Sequence, residues 1–499
     1  MFKSFRVEYT SKSMPDVCID IDKQKKYGVM TLQVDDNIRV GGSPILFHIM
    51  LDVSGSMSDY VSHNRTKMQL LKHTITNMLY YFAENTNNVY IEIKGFDDRI
   101  HHYIEPTLVT KTNVNELLDK LHLMRPMNST NIGLALETLK QNMEIKHDIE
   151  KRRVGILLTD GHPTSGCLEI DELTQDIIPD KSYHFIALGD EHNAQLMNAL
   201  GHNNAKTNNW FINEVEHTGN VYGEIIFNET NLVFENNVIC VENGTIYDYN
   251  KGMFVNQLEI GNLSKETTKE YHILVDNIDE CEIFIQGLYS EDGDSFKIIA
   301  GKSVPFEVIN EQMPNNVLLK QLIDLDDYNT TFITKHYFRL CVQKTLFAIR
   351  KSLENTLITN IYSFPMRMKP PLVKQVNKEL YDNLHNLKKV IIEFSEKRNI
   401  EKDDFIVGLV NDLNVAINSN GTDDQYKHIS AREDTQGKQT AFNTASQMED
   451  DPDDFIHIER PKLVRDSTSA YLTPSRAKLM RDFSADVDDC FSPTSPASP

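Results

Sequence analysis

Apolar and polar positions alternate in Val17-Cys18-Ile19-Asp20-Ile21-Asp22 and again in Val29-Met30-Thr31-Leu32-Gln33-Val34. A period of two turns one face of each segment inward, so residues 16–40 are predicted to hold two half-buried strands joined by a polar link containing Gly28. Between residues 43 and 228 the pattern changes. Short apolar runs at 47–51, 89–96, 154–158 and 183–188 are separated by stretches of helical spacing, among them 67–83, 117–123 and 132–143. Such alternation predicts an α/β domain: a doubly wound, mostly parallel sheet with helices on both faces and ligands at the carboxyl ends of its strands.

Residues 229–308 return to short strands, such as Val238-Ile239-Cys240-Val241, Tyr271-His272-Ile273-Leu274-Val275 and Cys281-Glu282-Ile283-Phe284-Ile285, separated by Asn, Gly and Asp turns. Regular spacing of this kind predicts an antiparallel β-sandwich. The strands within residues 1–42 need a sheet to join, and this one can take them, which makes 43–228 an insertion in the sandwich. From 309 to 418 the texture is helical, with helices expected over 332–353, over 372–397 after Pro370-Pro371, and over 403–417. Leu380, Leu384, Leu387, Val390 and Ile391 fall on one stripe of the second helix, the spacing of a core face. Residues 419–499 are polar and acidic and end in Phe491-Ser492-Pro493-Thr494-Ser495-Pro496, a composition expected to stay largely disordered, with Ser-Pro and Thr-Pro steps open to phosphorylation.

The candidate chemistry lies where the 47–51 run ends. Phe47-His48-Ile49-Met50-Leu51 leads into Asp52-Val53-Ser54-Gly55-Ser56, so a carboxylate and two hydroxyls spaced two apart stand where a buried strand reaches the surface. Hard divalent cations prefer such oxygens. Downstream, Ser129-Thr130-Asn131-Ile132-Gly133 opens a helical pattern, and Val154-Gly155-Ile156-Leu157-Leu158-Thr159-Asp160-Gly161 is a second buried run ending in an acid. In that order the three stretches resemble the von Willebrand factor type A (VWA) domain with its metal-ion-dependent adhesion site, over residues 43–228. The family pattern falls on Asp52, Ser54, Ser56, Thr130 and Asp160. One departure is Asn128-Ser129, where the family often has Gly-Gly.

The resemblance implies that Ser54, Ser56 and Thr130 hold Mg²⁺ (or Mn²⁺) through hydroxyls, with Asp52 and Asp160 acting largely through bound waters. It also implies that the ion captures an Asp or Glu of a protein partner. Asp52→Ala is expected to remove the ion and leave the fold largely intact. The order of the whole chain also resembles, more faintly, intracellular VWA proteins of plants and protists that often carry a RING finger or U-box, although no RING cysteine-histidine framework occurs here. Two rival functions follow: a substrate adaptor in ubiquitin transfer, and a structural protein with a silent metal site.

Composition narrows the classes. A formal charge of -22 over 499 residues disfavours nucleic acid and anionic membrane as partners. Six scattered cysteines lack a Cys-x-x-Cys pair, against a zinc module or disulfide scaffold. Residues 1–8 lack the apolar core of a signal peptide and no run is long enough for a membrane span, so an intracellular, cytoplasmic protein is expected. The abundance of Asn, Ile and Lys fits an AT-rich genome, and a viral source would place the protein in the host cytoplasm or virion. No nucleophile elbow or Ser-His-Asp order accompanies Ser54, so an enzyme is not expected. His101, His102 and His162 are read as solvated loop residues.

Overall fold

The computed structural model describes residues 2–10, 14–22, 24–38, 40, 42–62, 65–145, 152–189, 192–212, 215–290, 293–300, 307–308, 320–323, 327–361, 378–422, 424–440, 471, 473, 475, 476 and 479. The chain divides into two compact units, one of residues 41–231 with 473–499 and the other of 1–40 with 232–472.

The first unit is built on a six-stranded sheet in the order Thr207–Ile212, Ser182–Leu188, Arg152–Thr159, Ile45–Asp52, Val89–Phe96 and Ile100–Leu108. All neighbours run parallel except the last pair, which is antiparallel. Ile45–Asp52 lies at the middle and every residue in it is buried, as a strand covered on both faces requires. Its one imidazole is paired through a single nitrogen: His48 Nδ1 lies 2.5 Å from Glu92 Oε2, and the other Glu92 oxygen accepts from Lys94 at 2.9 Å. Lys94 in turn donates to Asn142 at 2.8 Å. The helices form two sets in mutual contact. Lys67–Asn85 touches Val114–His122 and Val215–Thr230, while Ile132–Glu144, Ile170–Leu173 and Ala194–Gly201 follow one another in contact.

His101 and His102 do not lie in a loop. They belong to the edge strand Ile100–Leu108, where His101 is half-buried and its Nε2 stands 3.0 Å from Asp97 Oδ1, and His102 is exposed. The polar run hid this strand, because an edge strand buries only part of one face.

The second unit is a sandwich. One sheet runs Met253–Val255, Gly244–Asp248, Thr268–Val275, Lys26–Val34, Phe2–Thr10, Lys320–Ile323. The other runs Gln257–Ser264, Leu232–Glu242, Glu282–Tyr289, Ser295–Ala300, Glu307–Val308. Lys26–Val34 pairs with Thr268–Val275 in the register Val29↔His272. Chain segments from either side of residues 41–231 thus share one sheet, and the α/β sheet is an insertion in the sandwich.

Two expectations about the N-terminal strands need correction. The alternation at 17–22 is not a strand: Asp20 has a left-handed backbone (φ 48°), and Cys18 is buried beside Val17 and Ile21 against the helical core. The strand that pairs with Lys26–Val34 is Phe2–Thr10, with Val7 opposite Met30. Lys26–Val34 is also buried on both faces rather than one. Met30, Leu32 and Val34 point into the sandwich core, whereas Tyr27 and Val29 pack among helical residues such as Phe338 and Leu384.

Those helices are Asp327–Ile361, Lys378–Arg398, Asp404–Asn418 and Gln425–Asp434. Asp403 caps the third by accepting from the Ile406 amide. On the second, Leu384, Leu387 and Ile391 are buried, with Leu380 and Val390 packed beside them, while Pro370-Pro371 lies outside the described residues. Residues 425–439, expected in the disordered tail, are instead helical and mostly buried. Arg350 reaches Glu433 at 2.5 Å and 2.9 Å, and the Gln439 side chain exchanges hydrogen bonds with the Glu270 backbone at 2.9 Å and 2.7 Å. Paired in this way, polar side chains can be buried that composition alone assigns to solvent. The phosphorylation and disorder expectations for 441–499 fall on a stretch of which only five residues are described.

Candidate functional site

Asp52 is the last residue of the central strand, and the chain turns immediately after it into a single 3-10 turn, Gly55–Ser58. The Asp52 carboxylate accepts from the Ser54 amide at 2.8 Å and from the Thr159 hydroxyl at 2.7 Å. From Ser54 the contacts pass along hydroxyls: Ser54 Oγ lies 3.1 Å from Ser56 Oγ, which donates to Asp160 Oδ1 at 2.8 Å. Asp160 directly follows the strand next to the Asp52 strand, so parallel pairing brings the two carboxylates to one end of the sheet.

Thr130 is held beside this loop by backbone hydrogen bonds. The Met127 amide donates to Val53 O at 2.7 Å and the Gly55 amide to Asn128 O at 3.0 Å, which staples one loop to the other. On its other side the Thr130 amide donates to Thr164 Oγ1 at 2.8 Å, while its carbonyl accepts from the Thr164 amide at 2.9 Å and the Ser165 amide at 3.2 Å. Asn128 occupies the left-handed region at φ 58°, which Asn tolerates better than most residues. Its side chain donates to Asp97 at 2.9 Å and Asp98 at 3.2 Å. The departure from Gly-Gly therefore keeps the turn and adds two hydrogen bonds. Gly166 serves the same loops, for with φ +75° a Cβ there would stand 2.2 Å from Asn131 Oδ1.

Asp52, Ser54, Ser56 and Asp160 are thus brought into one hydrogen-bonded chain, and Thr130 lies on the loop stapled to it. Asp52 is fully buried rather than at a loop surface. Its replacement by alanine removes acceptors from the Ser54 amide and the Thr159 hydroxyl as well as a carboxylate from the site. Burial, together with the charge of Asp160, pushes the Asp52 carboxyl up to about 6. Burial acts on Asp97 in the same sense, but the Arg99 amide, His101 and Asn128 outweigh it and hold that carboxyl below its usual range. His162 is exposed.

Two participants were missed in the sequence. Thr159, the donor to Asp52, was read only as part of a strand end. Lys67 was read only as the first residue of a helix, yet its Nζ stands 2.8 Å from Asp160 Oδ2 in a buried ion pair. The available signal was its position: a lysine in the first turn opposes the helix dipole. Among the described residues no group of three or more His, Cys, Asp or Glu side chains is placed to hold a metal ion. The oxygens gathered here come from two carboxylates and neighbouring hydroxyls.

A model of the von Willebrand factor type A domain matches residues 47–162. That stretch contains all three loops, and the chain contains a VWA domain. The comparison with curated proteins found no match. Among solved structures the chain is similar to a von Willebrand factor type A protein from Catenulispora acidiphila, at 12% identity and TM-score 0.49, covering 82% of this chain and 90% of that one. It is similar also to the ArnB paralog VWA2 from Sulfolobus acidocaldarius, at 12% identity and TM-score 0.48, covering 87% and 97%. Among the described residues no helix is long and apolar enough to cross a membrane.

Proposed function

We propose that this VWA domain binds a divalent cation, Mg²⁺ or Mn²⁺, and through it the carboxylate of a protein partner. Ser54, Ser56 and Thr130 would supply hydroxyls to the ion, and Asp52 and Asp160 would act largely through bound water. The ion's contribution is a strong local positive charge with an open position for an anionic ligand.

The observation that carries this reading is the run of contacts from Ser54 Oγ through Ser56 Oγ to Asp160 Oδ1, with the buried Asp52 at the head of the same loop. Asp52 and Asp160 are two buried carboxylates at one end of the sheet, and the Lys67 ammonium pairs with Asp160, so the three groups together leave a net negative charge where a cation is favoured. The donor set also fits the ion. Hydroxyls and carboxylates are hard oxygens, and few direct carboxylates leave a small cation its waters and its appetite for one more anion. The net acidity of the chain adds a reason for metal, because an acidic partner is repelled unless the ion screens it.

Calorimetric titration of the full chain with Mg²⁺ and with Mn²⁺ tests the site. Ser56→Ala, at a half-buried position that removes one hydroxyl, should weaken binding at least about tenfold, equivalent to about 1.4 kcal/mol. Equal affinity in the two chains rules Ser56 out as a ligand. A pull-down with and without EDTA tests the partner arm, and partners retained equally in both place protein binding elsewhere.

A further inference from the structure

Lys67 places a buried positive charge on one of the two carboxylates, Asp160. Its ammonium takes Asp160 Oδ2 at 2.8 Å, while Asp160 Oδ1 takes the Ser56 hydroxyl at the same distance. One carboxylate thus connects a fixed positive charge to the hydroxyl chain. The lysine side chain is buried, and Gly189 lies beside its end: a Cβ added there would stand 3.4 Å from Lys67 Cε and 4.0 Å from Nζ.

The helix does not need a lysine there. Its N-terminus is already closed by the reciprocal hydrogen bonds of Thr66 and Gln69, at 3.2 Å and 2.9 Å. A positive side chain in the first turn opposes the helix dipole, and no acidic residue of that turn offsets it. Desolvating the ammonium adds a further penalty. What the position gains is contact with Asp160.

We infer that Lys67 sets the charge of the site, lowering its affinity for the divalent ion and raising the affinity of the loaded site for a carboxylate. This rests on the metal reading proposed above. Asp52 and Asp160 carry two negative charges and Lys67 one positive, so a divalent ion brings the group to a net charge of plus one. With Lys67→Met the loaded site is neutral. A like charge nearby weakens cation binding, and a net positive site attracts an anion that a neutral one attracts less.

The experiment uses the full chain and Mn²⁺ alone, with free ion followed by electron paramagnetic resonance. Lys67→Met should bind Mn²⁺ about tenfold more tightly than the wild type, an effect of the size expected for one neighbouring charge. Lys72→Met, on the same helix, should leave the affinity unchanged. Acetate then serves as the carboxylate probe. Its entry into the Mn²⁺ shell, read as a fall in water-proton relaxation, should need several-fold more acetate in Lys67→Met than in the wild type.

Lys67→Met binding no more tightly than the wild type, or taking up acetate equally well, overturns the inference and leaves the metal reading standing. A wild type that takes up no Mn²⁺ overturns the metal reading first. Should Lys67→Met not fold, the wild type labelled with 13Cε-lysine replaces it. Substoichiometric Mn²⁺ should broaden the resonance that is missing from Lys67→Arg, and a signal of undiminished intensity overturns the inference.

Discussion

The Ser56 hydroxyl donates to Asp160 at 2.8 Å across 104 residues of sequence. Each residue reaches that point because it follows a buried strand, and the two strands are parallel neighbours in register from Ile45↔Arg152 to Leu51↔Leu158. A hydroxyl and a carboxylate that a random chain would keep far apart are thus held together by pairing set well away from them.

Thr130→Ala separates a metal ligand from a structural residue. The hydrogen bonds that fix residue 130 run through its amide and carbonyl to Thr164 and Ser165, and alanine keeps them. The expected outcome is a melting temperature within about 2 °C of the wild type, as for a change of a few tenths of a kcal/mol. Mn²⁺ affinity should fall at least about tenfold, and partner capture with it. His162→Ala, at an exposed loop position, should alter neither affinity nor capture.

Gly166→Ala should destabilise the loops that carry Thr130. A left-handed backbone costs a residue with a Cβ about 1–2 kcal/mol, and the new methyl would meet Asn131 Oδ1 at 2.2 Å, so that side chain must move too. Asn131 also caps the helix Ile132–Glu144 by accepting from the Leu134 amide at 3.0 Å. Urea unfolding followed by circular dichroism should show a loss of roughly 2–3 kcal/mol. A loss under about 0.5 kcal/mol would mean that the loop accommodates a side chain freely.

Acid stability should depend on Glu229. Burial alone would raise its carboxyl, but Arg152 and His184 outweigh it and bring the group down to about 2 from its ordinary 4.5. The sign follows from a depressed carboxylate. Its contribution is fully present above about pH 4.5 and is lost as the pH falls toward about 2, because the unfolded chain takes up the proton first. The contribution is of the order of 1–3 kcal/mol. Glu229→Gln should lower stability at pH 7 and flatten its decline between these limits, measured by chemical unfolding of residues 41–231 in the full chain. An unaltered pH profile argues against a role for this carboxylate.

Residues 425–440 should prove part of the fold through Glu433. Its carboxylate pairs with Arg350 at 2.5 Å and 2.9 Å in a buried site, and Tyr247 and Ile429 lie in the same helical core. Glu433→Ala leaves the Arg350 guanidinium buried with Glu354, at 2.7 Å, as the one carboxylate bonded to it among the described residues, and should cost about 3–5 kcal/mol. Limited proteolysis would show it, by cleavage between 419 and 440 that the wild type resists. Equal resistance would mark the pair as dispensable.

The sequence by itself determined the parallel α/β sheet, the sandwich and the loops that end at Asp52 and Asp160. Each is encoded locally: a buried strand needs an unbroken apolar run, a half-buried one needs alternation, and oxygens spaced two apart after such a run leave the sheet at the same end. The tertiary structure decided which of these local tendencies were used. Alternation at 17–22 matches a strand as well as that at 29–34 does, but only the latter finds partners on both sides, in Phe2–Thr10 and Thr268–Val275. Whether Tyr27 and Val29 face solvent depended on helices about 300 residues further along the chain, which cover that face. The same holds for charge. Lys67 and Glu433 look like surface residues in sequence, since an ion is expelled from an interior unless a partner compensates its desolvation. Their partners, Asp160 and Arg350, lie 93 and 83 residues away, and only the assembled fold brings them within reach.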